Sequence, residues 1–173
     1  MWIKLVGCIV IMGSAVLLGM YYGNCLTRRL AALRQLYQAM QLLKGEICYR
    51  HATLSEAFTE VGRRCGHDVG AWMETLGRKL MDRRSATFME LWLSAVETIS
   101  RQGAFSQEDI GLLREFGKNL GYLDLQMQEN RILFFMEQLD VQMKELLDTM
   151  KERQRLYRTL SILGGCFLIV VLL

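Results

Sequence analysis

The chain has no proline in 173 residues. Proline breaks helix interiors and fixes turns, so its absence leaves long helices unopposed and argues against a sandwich of short strands. Aromatic residues make up only 9%. Histidine, the side chain suited to proton transfer near neutral pH, occurs only at His51 and His67, neither in a recognisable catalytic motif. No G-x-x-x-x-G-K-[ST] run is present, so a phosphate-cradling loop of that kind is excluded. The five cysteines are an odd set without a disulfide-framework spacing, which predicts free thiols in a reducing compartment. An enzyme is not indicated: no catalytic, cofactor-binding or metal residue is assigned, and no cofactor is implied.

What is abundant is apolar. Hydrophobic residues reach 51% beside 23% charged ones, and the excess lies at the two ends. Residues 5–22 are apolar except for Ser14. About 18–20 helical residues cover the roughly 30 Å hydrocarbon core, so 1–24 is expected to be a transmembrane helix. Leu5, Val6, Gly7 and Cys8 look like a lipoprotein cleavage box. Too few residues precede it for a signal's apolar region, so the helix is read as a retained anchor. Residues 159–173 carry no charged side chain. They span only about 22 Å as a helix, and snorkelling arginines with local thinning would let them cross as a short second membrane helix.

Seven basic residues flank these ends on their inner sides: Arg28, Arg29, Arg34, Lys151, Arg153, Arg155 and Arg158. The positive-inside rule then places 25–158 in the cytoplasm and both termini across the bilayer. From 35 to 150 the chain carries 13 Lys and Arg against 17 Asp and Glu, an acidic balance that argues against nucleic acid. An acidic, Met-rich helical surface suits a protein partner better.

Helical periodicity fills the middle. Leu26, Leu30, Leu33, Tyr37, Met40 and Ile47 fall near heptad spacing, widened by Leu36 and Leu43. No breaker separates them from the first apolar run, so one nearly continuous helix is expected to about Tyr49. Thr53 with Glu56 forms a capping box, opening a helix that Gly66 closes. Asp68 is expected to cap the next helix, with a polar break at 82–85. Gly103 ends a third short helix, and Ser106 with Asp109 starts a fourth. Gly121 stops that one, and Asp124 is placed to cap a final helix with its stripe at Ile132, Phe135, Met136, Leu139, Met143, Leu146 and Met150. Phe134 stands beside Phe135, so one of the two faces outward. The fold class is all-α: about six helices, with a cytoplasmic bundle at 25–158 between the two apolar ends.

One pattern points elsewhere. Cys48-x-x-His51 with Cys65-x-His67 supplies a Cys₂His₂ set of the type zinc takes. The spacing is not that of a recognised finger, and so helical a chain needs no metal to fold; a zinc-binding sensor is a minor alternative.

At Phe116, Gly117, Leu120, Gly121, Asp124 and Gln128 the chain resembles the stage III sporulation protein AB family. Lys44-Gly45-Glu46-Ile47-Cys48-Tyr49, then His51-Ala52-Thr53-Leu54-Ser55-Glu56-Ala57, and Leu163-Gly164-Gly165 before the apolar tail agree with it. One departure is Ala52-Thr53, where the family tends to have Thr-Pro. The resemblance implies a part in the channel linking mother cell and forespore during endospore formation. It also implies a likeness to the cytoplasmic domain of type II secretion F platform proteins, a six-helix bundle above a secretion ATPase. The implied partners are a secretion-type ATPase of the same system, other membrane subunits of the channel and the lipid bilayer of the mother cell's outer forespore membrane, with no nucleic acid and room for a homo-oligomer. A passive anchor recruiting other channel subunits is the alternative role. The signature residues are expected to be structural: Phe116 and Leu120 lock a corner, Gly121 turns the chain and Asp124 restarts it.

Overall fold

Apolar and amphipathic runs with no breaker become long helices, and the first and last runs are the longest. The computed structural model contains α1 (Trp2–Cys48), α2 (Leu54–Cys65), α3 (His67–Met81), α4 (Phe88–Ser100), α5 (Gln107–Gly117) and α6 (Leu125–Leu172), and no strand among the described residues. The structure describes residues 2–82, 87–118, 120 and 124–172, with the side chains of 24–82, 87–118, 120, 124–152 and 156. Gly121, the polar break at 83–85, and the side chains of both apolar ends, including Gly164 and Gly165, lie outside the described residues. Among the described residues no helix is long and apolar enough to cross a membrane, and the expected spans at 1–24 and 159–173 fall on side chains outside that set. Helices α1 and α6 run unbroken through positions 24 and 158.

The helices alternate in direction. Lys44 pairs with Glu129 at 3.2 Å and Arg29 Nη2 donates to Gln142 Oε1 at 3.1 Å, so α1 and α6 lie antiparallel side by side. Between them α2 and α3 form a hairpin packed backbone on backbone. A Cβ added at Gly62 would meet the backbone of Glu74; one at Gly70 would lie 2.7 Å from the Gly62 carbonyl oxygen, and one at Gly77 would meet Thr59. Small residues at these positions let the two helices approach more closely than side chains allow. Every connection between helices therefore falls at one of two ends: the end where α1 and α6 continue toward the apolar termini, or the distal end, where α1 and α3 finish and α6 begins.

The apolar stripes point inward as the periodicity predicts. Leu33, Leu36, Met40, Leu43 and Ile47 of α1 face Ile132, Phe135, Leu139 and Leu146 of α6 and the inner faces of the short helices in one core. Each such burial contributes about 1.5–3 kcal/mol. A run of rings crosses the bundle: Phe58 of α2 and Phe88 of α4 lie 5.9 and 6.0 Å from Trp92, Trp92 lies 5.4 Å from Phe116, and Phe116 lies 4.6 Å from Phe135. The two buried indoles keep their N–H groups satisfied: Trp72 Nε1 donates to the Ala95 carbonyl at 2.7 Å and Trp92 Nε1 to that of Leu113 at 2.8 Å.

The helix starts follow the sequence with two differences. The Thr53–Glu56 box forms, with Thr53 N–H donating to Glu56 Oε2 at 3.0 Å and Glu56 N–H to Thr53 Oγ1 at 3.4 Å. Ser106 and Asp109 form another, and Met127 N–H donates to Asp124 Oδ1 at 2.8 Å. The first difference is at α3, where Gly66 occupies the N-cap position with no side-chain cap. Gly66 and His67 both have left-handed φ, 57° and 53°, so the chain turns before Asp68 can cap; Asp68 instead sits in the first turn, favourably placed against the helix dipole. The second is a further capping box, Thr87 with Glu90, which starts α4.

Candidate functional site

Four of the six signature residues are held at the α5–α6 corner by a definable geometry. At and just beyond the end of α5, α6 reaches back to two backbone carbonyls. Gln128 Nε2 donates to the Leu120 carbonyl at 3.2 Å, and Arg131 Nη2 donates to that of Glu115 at 2.9 Å. Phe116 is buried against Trp92 and Phe135, Leu120 is fully buried, and Asp124 caps α6. Gly117 has a different role from a turn: a Cβ there would lie 2.5 Å from Trp92 Cγ and closer still to Cδ1 and Nε1. It is the flat spot on which the Trp92 indole rests. Each of these described residues is engaged in packing, capping or a backbone hydrogen bond.

Sequence reasoning missed two buried ionic clusters. Asp109 is 1% exposed; it takes the Arg29 guanidinium in a bidentate pair, both bonds 2.8 Å, and the Ser106 N–H as well, also at 2.8 Å. The same Arg29 donates to Gln142, so a single side chain joins α1, α5 and α6. Hydrogen bonding to Asp109 raises the Arg29 pKa above its ordinary value, outweighing the opposing effect of burial. Arg29 is therefore a bundle residue as well as a flanking charge. At the distal end of α1, buried Glu46 accepts from Arg50 at 3.0 Å and from Arg64 at 3.1 Å, which fastens α2 to α1. Neither cluster has a local signature: Asp109 and Arg29 are 80 positions apart.

Beside Glu46 a cleft of about 520 Å³ opens at the distal end, lined among others by Arg50, His51, Glu56, Glu60, Arg63 and Met81. Both charge signs line it, so the acidic balance of 35–150 is not concentrated there. Exposed apolar side chains mark this end instead: Tyr49 is 80% exposed, Met81 61% and Leu125 50%.

The cysteine–histidine pattern does not converge. Among the described residues no three His, Cys, Asp or Glu side chains are grouped to hold a metal ion. His51 and His67 are exposed at left-handed turn positions. Cys48 and Cys65 are half-buried free thiols whose pKa values are pushed up by burial, the opposite of an activated thiolate.

The family model described as stage III sporulation protein AB matches residues 4–173. Stage III sporulation protein AB of Bacillus subtilis (strain 168) is 23% identical over 171 residues, with 99% of each chain covered. The solved structure of a stage III sporulation protein AB (SpoIIIAB) is similar with a TM-score of 0.64 at 22% identity, covering 72% of this chain and 97% of its own; at that identity the likeness shows a common fold.

Proposed function

This chain belongs to the stage III sporulation protein AB family, and on that premise we propose that it is a non-enzymatic membrane platform subunit of the mother cell–forespore channel. In this reading it couples a secretion-type ATPase to the outer forespore membrane. Residues 25–158 lie in the mother-cell cytoplasm, both termini cross the bilayer, and other membrane subunits of the channel pack alongside. The observation that carries the reading is the polarity of the bundle. Its two long helices leave one end toward the apolar termini, while Tyr49, Met81 and Leu125 stand exposed at the other. Exposed large apolar side chains gathered at one end of a bundle suit a protein contact. Helix α6, at 48 residues, is about 72 Å long, enough to carry a displacement from the distal end to the far side of a bilayer.

The test is photo-crosslinking in sporulating cells, with benzoylphenylalanine at Tyr49, Met81 or Leu125 of the full-length protein. An adduct with the secretion-type ATPase is expected from at least one position. No ATPase adduct from any of the three, with normal protein level and membrane recovery, sinks the reading. Variants that abolish the adduct yet sporulate normally leave a passive anchor in its place.

A further inference from the structure

We propose that the outward face of α6 between positions 127 and 148 docks a basic amphipathic helix of a partner protein. The proposal stands whether or not an ATPase docks at the distal end.

Helix α6 carries two apolar stripes. One, with Ile132, Phe135, Leu139 and Leu146, is buried in the core, which is all that a helix packed on one side requires. The other is exposed. Met127, Phe134 and Val141 recur at intervals of seven and are 56%, 55% and 48% exposed, and Leu133, 41% exposed, adjoins Phe134. Seven residues bring a helix back to within about 20° of the same face, so the three side chains form one row about 21 Å long. That matches about four turns of a second helix, laid along the row as helix-in-groove recognition requires.

Charge selects the occupant. Between 127 and 148 the chain carries Glu129, Glu137, Asp140, Glu145 and Asp148 against Arg131 and Lys144. Glu129 is paired with Lys44 at 3.2 Å, Asp140 with Lys144 at 2.6 Å and Asp148 with Lys151 at 3.1 Å, and Arg131 donates to the Glu115 carbonyl. That leaves Glu137 and Glu145 without an ion pair among the described residues, Glu145 within electrostatic reach of Arg29. Both lie along the row: Glu137 is three residues past Phe134 and four before Val141, and Glu145 is four past Val141. A second copy of the chain would bring like charges together, which costs affinity, and an anionic lipid surface is repelled in the same way. A helix with Lys or Arg beside an apolar stripe is attracted to the charges and buries the row.

The experiment places benzoylphenylalanine at Phe134 or Val141 of the full-length protein in sporulating cells and maps each adduct to the residue by mass spectrometry. The expected adduct lies in a partner-protein segment whose apolar residues repeat every three or four positions and whose Lys and Arg outnumber its Asp and Glu. Glu137→Lys combined with Glu145→Lys is expected to lower its yield at least tenfold, with unchanged adducts from Tyr49 showing that the bundle is intact. Adducts to a second copy of this chain, to lipid alone, to an acidic segment or to nothing overturn the proposal. So does a yield indifferent to the charge reversal. Distal adducts from Tyr49, Met81 or Leu125 report on the platform reading separately.

Discussion

Gly117→Ala adds a single methyl group and is expected to be one of the costlier small changes in this bundle. The new Cβ would lie 2.5 Å from Trp92 Cγ and inside the envelope of Cδ1 and Nε1, whereas carbon atoms pack comfortably at about 3.5–4.0 Å. The indole must therefore retreat by roughly 1 Å or more to restore a comfortable contact. It has little room, because Trp92 is fully buried with Phe58, Trp72, Phe88 and Phe116 around it. Overpacking of this kind costs about 1–3 kcal/mol. Moving the ring also strains the bond from Nε1 to the Leu113 carbonyl, and an unsatisfied buried donor adds about 1–3 kcal/mol. The gain in helix propensity returns up to about 1 kcal/mol. The net expectation is a loss of about 2–4 kcal/mol, or a midpoint lowered by roughly 5–12 °C for a chain of this size. Gly111 supplies the control, since it lies in the same helix and a Cβ there meets nothing within 4 Å. Gly111→Ala should leave the midpoint unchanged or raise it by a few degrees, as a gain of up to about 1 kcal/mol implies. Thermal unfolding of the full-length protein in detergent, followed by tryptophan fluorescence and near-UV circular dichroism, measures both. Trp92→Leu in the Gly117→Ala background should show a favourable coupling energy. Equal midpoints for Gly117→Ala and wild type would refute the reasoning, as would equal losses at both glycines.

Three further outcomes follow from the same contacts. Arg29→Met leaves the Asp109 carboxylate buried without its partner and should destabilise the bundle by about 2–4 kcal/mol, less than for a wholly buried pair because Arg29 is partly solvated; a change under about 0.5 kcal/mol in urea unfolding would mean that Asp109 does not depend on it. Hydrogen bonds from Thr53, side chain first and backbone second, hold the Glu56 pKa below the ordinary glutamate range, so the unfolded chain takes up this proton first as pH falls. The capping contribution is thus complete above the ordinary glutamate pKa and is lost as pH drops through the depressed folded value. Amide-exchange protection at the start of α2 should fall in that window and lose the dependence in Glu56→Gln. Burial raises the pKa of Cys48 and Cys65, so at pH 8 both should react with a thiol reagent more slowly than free cysteine; faster reaction at either would contradict the packing.

The core was legible because the long helices bury one stripe with the period of an α-helix, so Leu33, Met40, Leu43, Phe135 and Leu139 could be assigned inward by spacing alone. Capping is local chemistry, and Thr53, Ser106 and Asp124 reveal themselves within a few residues. Thr87 with Glu90 obeys the same grammar and was equally open to reading. What escaped is non-local. Nothing near Gly117 announces that Trp92, in another helix, needs the space, and an arginine beside an apolar run reads as a flanking charge until Asp109 is seen against it. Gly62, Gly70 and Gly77 escaped because nothing beside a helical glycine in the sequence marks the helix that will rest on it. Asp68 was displaced from its expected capping role by two consecutive left-handed residues, a backbone event with no strong composition signal at His67.

The α2–α3 hairpin carries a mechanical consequence. Helices separated by side chains can slip past one another by changing rotamers, but at Gly62, Gly70 and Gly77 main chain rests on or beside the facing helix, and no compliant layer remains. The pair behaves as one stiff lever. A force applied at exposed Met81 travels along both helices together and enters α1 through the Arg64–Glu46 clasp. Shear between α2 and α3 is opposed by that contact, so the two helices are expected to move together.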